Sequence, residues 1–538
     1  MAIFHGNAIP SGAVAGYDIP YSCRFEGSAP HMLRTPGSAS NRRTWTLSVW
    51  VKRAELGWDG ASSYQHIFTA DQTYRDALIF DNADKINAYT GRVADGGSSL
   101  VTTAVYRDVS NWYHIVWAVD TEQGTPANRS KLYVNGSQVT AFSTETYMSE
   151  DWDTYINNTQ RHSISYDPLY SRFPFLGYMA EMHFIDGTAL TPSSFGEVDG
   201  DSGQWKPIEV EGLTYSTNGF YMDFADSGDL GDDESGEGND YSETNIVAKD
   251  QMTDSPTNNW AVPNRSEAFE SESISSYAEG NMQVAFNNDA RFYGWTPSSI
   301  GMVSGKWYCE AHVTFTTASL LLGIVGRGWW PPRSATNYIG GHFDTYGWNK
   351  TYGIVNDNSN NSYDSITPAS GNVLGIALDL DNHKLYFHKA GVYLNSGDPT
   401  NPGGGTGFSI SAASTTTNGA YQFAFGTYGE SVTFTVNYGQ EGTFAGLVTA
   451  GNNADDNGYG NFLYDVPAGF LALCSKNLPD CAVTPSEHFS ANIWSGNSTD
   501  DTAITTGFQP DLVWIKCRSD ASHNHSLYDS LRGVGKRI

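Results

Sequence analysis

Apolar and polar residues alternate along most of this chain. WTLSVWVK (residues 45–52), NWYHIVWAVDT (111–121), KLYVNGSQV (131–139) and FLGYMAEMHFIDG (175–187) place apolar side chains at every second position. That is the pattern of strands with one face buried and the other wet. Asn135-Gly136, between two apolar runs, tolerates the positive φ of a type I′ turn and predicts a short hairpin. GFYMDF (219–224) reads as a strand returning to the first sheet. The alternation resumes in SGKWYCEAHVTF (304–315), in LLLGIVGRG (320–328) and in two strands of GNVLGIALDLDNHKLYFHKAGVYLNSG (371–397), joined at Asp381-Asn382-His383. No long stretch carries a helical period, so the expectation is an all-β protein of tandem antiparallel β-sandwiches.

A chain of 538 residues exceeds one core, and the pattern divides it. An N-terminal arm (1–18) precedes a first sandwich (19–225). The acidic, Gly-rich DSGDLGDDESGEGNDYSETN (226–245) has no apolar periodicity and reads as a linker or long surface loop, within a connector spanning 226–277. A second sandwich (278–440), a further connector (441–484) and a partial C-terminal β unit (485–538) follow. About fifty residues do not easily bury a core of their own, so the last unit is expected to be clipped or completed by a neighbour.

Composition narrows the function classes. Against 59 acidic residues stand 30 basic ones, a net charge of −29, which argues against a nucleic-acid partner because phosphate backbones need clustered Lys and Arg. Five scattered cysteines, Cys23, Cys309, Cys474, Cys481 and Cys517, suit buried thiols better than a disulfide framework or a zinc site. The N-terminus lacks a basic region followed by a continuous apolar one, so no secretory signal is expected, and no apolar run is long enough for membrane insertion.

The order of the first set of phrases, a paired-Trp strand, W-x-H-x-x-x-x-x-D, L-Y-V-N-G and F-x-G-x-x-x-x, resembles the laminin-G-like, concanavalin A-like jelly roll. That resemblance implies binding to glycans or proteins, with cleavage of polysaccharides in a minority of relatives. GKWYCE, G-x-x-x-G-x-A-x-D-x-D-x-x-K-L-Y-F and FAFGTYGESVTFTVNYG resemble a SPRY domain, over residues 278–440. NNWAVPN (258–264), PAGFLALCSKNLPD (467–480) and PDLVWIKCRS (510–519), in succession, resemble large tail proteins of marine bacteriophages. This implies a virion component, assembled in the host cytoplasm and released by lysis.

Candidate chemistry is sparse. The E-x-D-x-x-E strand of laminarinase-type jelly rolls is missing, and Glu237, Asp240 and Glu243 are spaced by threes in a Gly-rich loop, so no enzyme is expected. Asp226, Asp229, Asp232, Asp233 and Asp240 make an oxygen-rich loop that suits calcium, without the EF-hand order. No other cofactor is expected. GIVGRG (323–328) lacks the GK[ST] ending of a phosphate loop, and His114, amid strand aromatics, reads as a packed or hydrogen-bonded core residue.

Aromatic residues in turn-like segments are the better candidates, because sugars stack on flat apolar faces while amides and carboxylates take their hydroxyls. GRGWWPPRSATNY (326–338) supplies Trp329, Trp330 and Arg333. HFDTYGWNKTYG (342–353) supplies Asp344, Tyr346, Trp348 and Asn349, and ETYMSEDWDTYINN (145–158) supplies Trp152, Asp153 and Tyr155. The bland alternative is that these rings cover the sandwich ends or contact neighbouring copies. The expected function is therefore a non-enzymatic, fibre-like or receptor-binding virion protein that recognises host-surface polysaccharide as a homo-oligomer, a trimer suiting a fibre. The rivals are a capsid decoration protein binding other virion proteins and a polysaccharide depolymerase.

Overall fold

The computed structural model describes residues 16–57, 64–71, 74–200, 202–269, 273–287, 293–315, 320–326, 338–349, 353–357, 359–361, 363, 368–404, 406–428, 430–479, 483–498, 502–518, 520, 522–533 and 536. It is a tandem of antiparallel β-sandwiches, and the helical elements among the described residues are short 3₁₀ turns. No helix among them is long and apolar enough to cross a membrane.

Two sheets form the first sandwich. One runs Ser137–Gln138, Ser130–Val134, Tyr113–Asp120, Thr44–Arg53, Gly177–Asp186, Ser22–Phe25 and Gln251–Met252, with Phe220–Met222 also paired to Gly177–Asp186. The other runs Phe142–Thr146, Ser98–Thr102, Ile86–Thr90, Arg75–Phe80, Gln65–Asp71, Arg161–Ile164, His31–Arg34 and Ser242–Thr244. Alternation decides what meets between them. Trp45, Leu47, Val49 and Val51 from one central strand face Leu78, Phe80 and Ala88 of the opposite sheet in one core. Trp45 packs edge-on against Trp117, ring centroids 4.8 Å apart, and each indole N–H finds an oxygen, on Thr154 and Ser130. The hairpin read from Asn135-Gly136 is present, with φ of 47° and 75°.

The acidic stretch is not a free linker. Leu230, Tyr241 and Ile246 are buried in the first core, Ser242–Thr244 pairs with His31–Arg34, and Gln251–Met252 pairs with Ser22–Phe25. Three isolated apolar anchors among acids have no period, which is why pattern reading takes the stretch for solvated loop.

In the second sandwich the larger sheet orders Ile274–Ala278, Gln283–Phe286, Val432–Asn437, Lys306–Phe315, Val373–Asp379, Lys384–Lys389 and Val392–Tyr393. The smaller orders Tyr293–Pro297, Tyr421–Tyr428, Leu320–Gly326, Thr345–Asn349, Gly353–Asn356 and Ser359–Asn361. GIVGRG accordingly begins on a strand. The C-terminal unit contributes the two-stranded pair Leu512–Ile515 and Ser526–Asp529, and it leaves Trp514 67% and Leu531 97% exposed. Cys23, Cys309 and Cys474 are buried free thiols, while Cys481 lies outside the described residues.

Where the sandwiches meet, two of the quoted phrases pair with each other. Asn259 and Ser475 exchange backbone and side-chain bonds, Ala261 N–H donates to Leu473, and Leu471–Ala472 lies parallel to Lys306–Phe315. Beneath this seam the Lys52 ammonium of the first sandwich donates to Asp254 Oδ2 at 2.6 Å, Asn259 Oδ1 at 2.7 Å and the Trp260 carbonyl at 3.1 Å. All three ammonium donors are thereby used. Trp112 Nε1 donates to the other Asp254 oxygen. Burial pushes the Asp254 carboxyl up, and the Lys52 charge opposes that. Arg24 adds buried ion pairs to Asp250 and Glu279 at 2.9 and 3.1 Å, and Met282 packs against Trp50, Trp112 and Tyr178.

A second buried acid fastens the late connector. Glu310 accepts from the backbone N–H groups of Leu463 and Tyr464 and from the Tyr308 hydroxyl. Burial, working against those bonds, pushes its carboxyl up to about 7.

Lys52→Met strands Asp254 as an uncompensated buried charge and is expected to cost ~3–5 kcal/mol, read as a lowered unfolding midpoint. For Glu310 the folded pKa lies above the unfolded value, so its contribution to stability is lost as pH rises through roughly 4.5 to 7. The melting temperature of Glu310→Gln relative to the unaltered protein is therefore expected to rise between pH 4.5 and pH 7.5. A difference that stays flat across that range contradicts the assignment.

Candidate functional site

The aromatic segments favoured by sequence fall in unexpected places. Trp329, Trp330 and Arg333 lie outside the described residues. Tyr346 and Trp348 are not loop residues but part of the strand Thr345–Asn349, both buried in the second core. Tyr346 hydroxyl bonds to Ser411, and Trp348 packs near Phe387. Gly347 between them lets the strand pass Ile339, whose carbonyl would lie 2.0 Å from an added Cβ. Asp344 is buried and holds His342 Nδ1 at 2.5 Å and the Thr417 hydroxyl at 3.2 Å. Asn349 is half-buried at the strand end.

The third segment covers the rim of the first sandwich. Trp152 and Tyr155 are half-buried against its core, the Trp152 ring lying so near Gly91 that a Cβ there would sit 2.8 Å from it. Buried Asp76 accepts the backbone N–H groups of Tyr155, Ile156 and Gly91, fixing that cover. Asp153 is exposed and paired with Arg43 at 2.8 Å. Both rings thus pack partly buried against the first core.

The calcium reading fares no better. Buried Asp233 accepts from the N–H groups of Tyr221, Ser235 and Asn239; Asp226 accepts from Gly228 and Asp240 from Asp233. These carboxylates hold the turn's own backbone, while Asp229 stays exposed and burial with its acidic neighbours pushes Asp232 up. Among the described residues no group of three or more His, Cys, Asp or Glu side chains is placed to hold a metal ion. His114 is buried between Ser48 at 2.8 Å and Trp205 at 2.9 Å. Since indole only donates, Nδ1 accepts, and Nε2 carries the proton toward Ser48.

A surface that sequence reading passed over is better built. Period two turns Asp76, Leu78, Phe80, Ile86 and Ala88 inward and therefore Arg75, Ala77, Ile79, Asn87 and Tyr89 outward, onto the outer face of the second sheet of the first sandwich. The loop of residues 165–174 closes over one half of that face, held by the Ser165–Ile67 and His66–Phe173 backbone bonds.

Across it runs a row of rings and guanidinium groups. Arg75 lies over Tyr170 at 4.9 Å, while Arg92 over Tyr74 at 5.8 Å is a separate pair at the start of the strand Arg75–Phe80. Arg172 sits against Tyr170 at 5.1 Å and Phe173 at 4.2 Å. Phe173 meets Tyr64 edge-on at 5.6 Å and stacks on His66 at 6.1 Å. Tyr64, Tyr74 and Tyr170 are 39, 39 and 54% exposed.

Polar groups under the row are tied down. Asp167 is buried 2.9 Å from Arg75, whose Nε donates to the Tyr89 hydroxyl at 2.7 Å, and Asp71 pairs with Arg161 at 2.7 Å. Burial pushes the Asp167 carboxyl up against the pull of Arg75. Burial and the Arg75 charge push His66 down to about 3, so it is neutral near pH 7. The loop carries positive φ at Ser165, Ser171 and Phe173, 65°, 53° and 66°, a costly conformation for a bulky ring. The sequence signal was PLYSRFPF (168–175), an Arg between aromatics, but nothing in it told which face it would cover.

Comparison with known proteins agrees with the first sandwich. Residues 27–194 match the family described as the concanavalin A-like lectin/glucanases superfamily, and residues 484–538 match a domain of unknown function (DUF7483). None of the curated proteins matches the chain. Among solved structures, a putative carbohydrate binding protein from Bacteroides ovatus is similar at 14% identity and a TM-score of 0.27, over 43% of this chain and 60% of that one. The SPRY domain of human HERC1 is similar at 12% identity and a TM-score of 0.23, over 31% of this chain and 96% of that one. Stonustoxin is similar at 14% identity and a TM-score of 0.25, over 33% of this chain and 27% of its own. The first sandwich thus carries a concanavalin A-like domain within a nearly all-β chain.

Proposed function

We propose that this chain is a non-catalytic, lectin-like protein that holds host-surface polysaccharide on the outer face of its first sandwich. The row of rings and guanidinium groups from Tyr64 through Phe173, Arg172 and Tyr170 to Arg75 carries the reading. Sugars offer apolar C–H faces to rings and hydroxyls to fixed polar edges, and this face offers both on a strand floor that cannot shift. Binding without cleavage is supported by the bordering carboxylates. Glycosidases need two carboxyl groups roughly 5–10 Å apart, with one free to exchange a proton, whereas Asp71 and Asp167 are spent on Arg161 and Arg75.

The phage-like phrases support a place on a virus particle as a fibre-like or receptor-binding component, where many copies turn weak contacts into attachment. The exposed C-terminal hairpin, with Trp514 and Leu531 outward, favours additional contacts with other proteins of that particle.

The full chain passed over immobilised amylopectin, polygalacturonate and dextran sulfate is expected to be retained on at least one. Tyr64→Ala combined with Tyr170→Ala weakens that retention about tenfold or more at an unchanged melting temperature. Released reducing ends would make the chain a depolymerase. Passage through all three matrices would leave the protein-contact reading.

A further inference from the structure

We infer that the glycan held on this face is anionic, its carboxylate or sulfate groups gripped by Arg172; this rests on the glycan reading above. The ion pairs of the face single that residue out. Arg75 and Arg161 are neutralised by buried Asp167 and Asp71, at 2.9 and 2.7 Å. Arg92 faces Asp95 at 4.0 Å across solvent. Arg172, among the described residues, makes only ring contacts with its side chain, to Tyr170 and Phe173. Arg172 is thus the guanidinium of this face that no carboxylate among the described residues neutralises.

Its geometry suits an oxyanion. Contact with two rings restrains the guanidinium, while its N–H donors meet no carboxylate among the described residues. Those donors form a planar fork that meets a carboxylate or a sulfate with two parallel bonds. The backbone is set to present it, since both neighbours, Ser171 and Phe173, hold positive φ of 53° and 66°. Strain of that kind in a non-glycine pair persists where the surroundings enforce it, and it concentrates at ligand clamps. The net charge of −29 repels a polyanion at long range, so capture depends on this local contact and is open to a single substitution.

The test is calorimetric titration of the full chain with neutral galactan, oligogalacturonate and sulfated galactan fragments of matched length. At least one anionic probe is expected to bind about tenfold tighter than the neutral one; which one separates carboxylate from sulfate recognition. In Arg172→Ala the ratio of anionic to neutral affinity is expected to fall to about one, whatever happens to the neutral affinity itself, and in Arg172→Lys, charged but lacking the fork, only part of that ratio returns. Equal affinity for all three probes, or a preference that survives in Arg172→Ala, overturns the inference and leaves glycan binding standing. Binding to none of the three overturns this inference, while retention on the amylopectin column decides the glycan reading separately.

Discussion

One buried ion pair sets the arrangement of the two sandwiches. Lys52 belongs to a central strand of the first, Asp254 to the segment that leads into the second, and both side chains are fully withdrawn from water. Such a pair adds little net stability over apolar residues of the same volume, but it tolerates only one geometry, because a displaced partner becomes an isolated buried charge. Asn259 and the Trp260 carbonyl complete the ammonium shell, so the connector is fixed residue by residue. The late connector is then laid on top, through Ser475 and Leu473.

That constraint determines which surface stays open. The seam buries Trp50, Trp112 and Tyr178 from the outer face of the first sheet under Met282, and Phe195 with Leu213 covers the remainder around Val116 and Ile185. Among the described residues the second sheet has no such cover beyond its own loop, so Tyr64, Tyr74 and Tyr170 remain at the surface. The seam and the exposed ring row are thus two consequences of the same division of faces: one sheet spends its outer aromatics on holding the chain together, and the other leaves them at the surface.

Loop-like composition misled most where glycine and polar residues interrupt a buried strand. TYGWN (345–349) carries Tyr346 and Trp348 at alternate positions, which is strand spacing, yet its glycine and flanking Asp and Asn read as turn. Gly347 is there for the close approach of Ile339, a requirement that belongs to the neighbouring segment. Conversely, Arg172 stands in what looks like an unremarkable connection, and the rings it meets, Tyr170 and Phe173, come from its own loop, which only the fold lays on the sheet. The acidic stretch behaved likewise: its charges are solvated as composition suggests, but Leu230 and Tyr241 anchor it in a core that only pairing with His31–Arg34 brings near.

By itself the sequence determined the all-β class, the principal strands, the Asn135-Gly136 turn and the concanavalin A-like character of the first sandwich, because a strand's two faces and a turn's φ values are local properties written in consecutive residues. Only the tertiary structure decided which aromatic residues are core and which meet solvent, because that depends on which sheet face a distant segment happens to cover. The same holds for charge. Arg75, Arg161 and Arg172 look alike in sequence, and what separates them is whether a buried carboxylate from another strand or loop lies within reach.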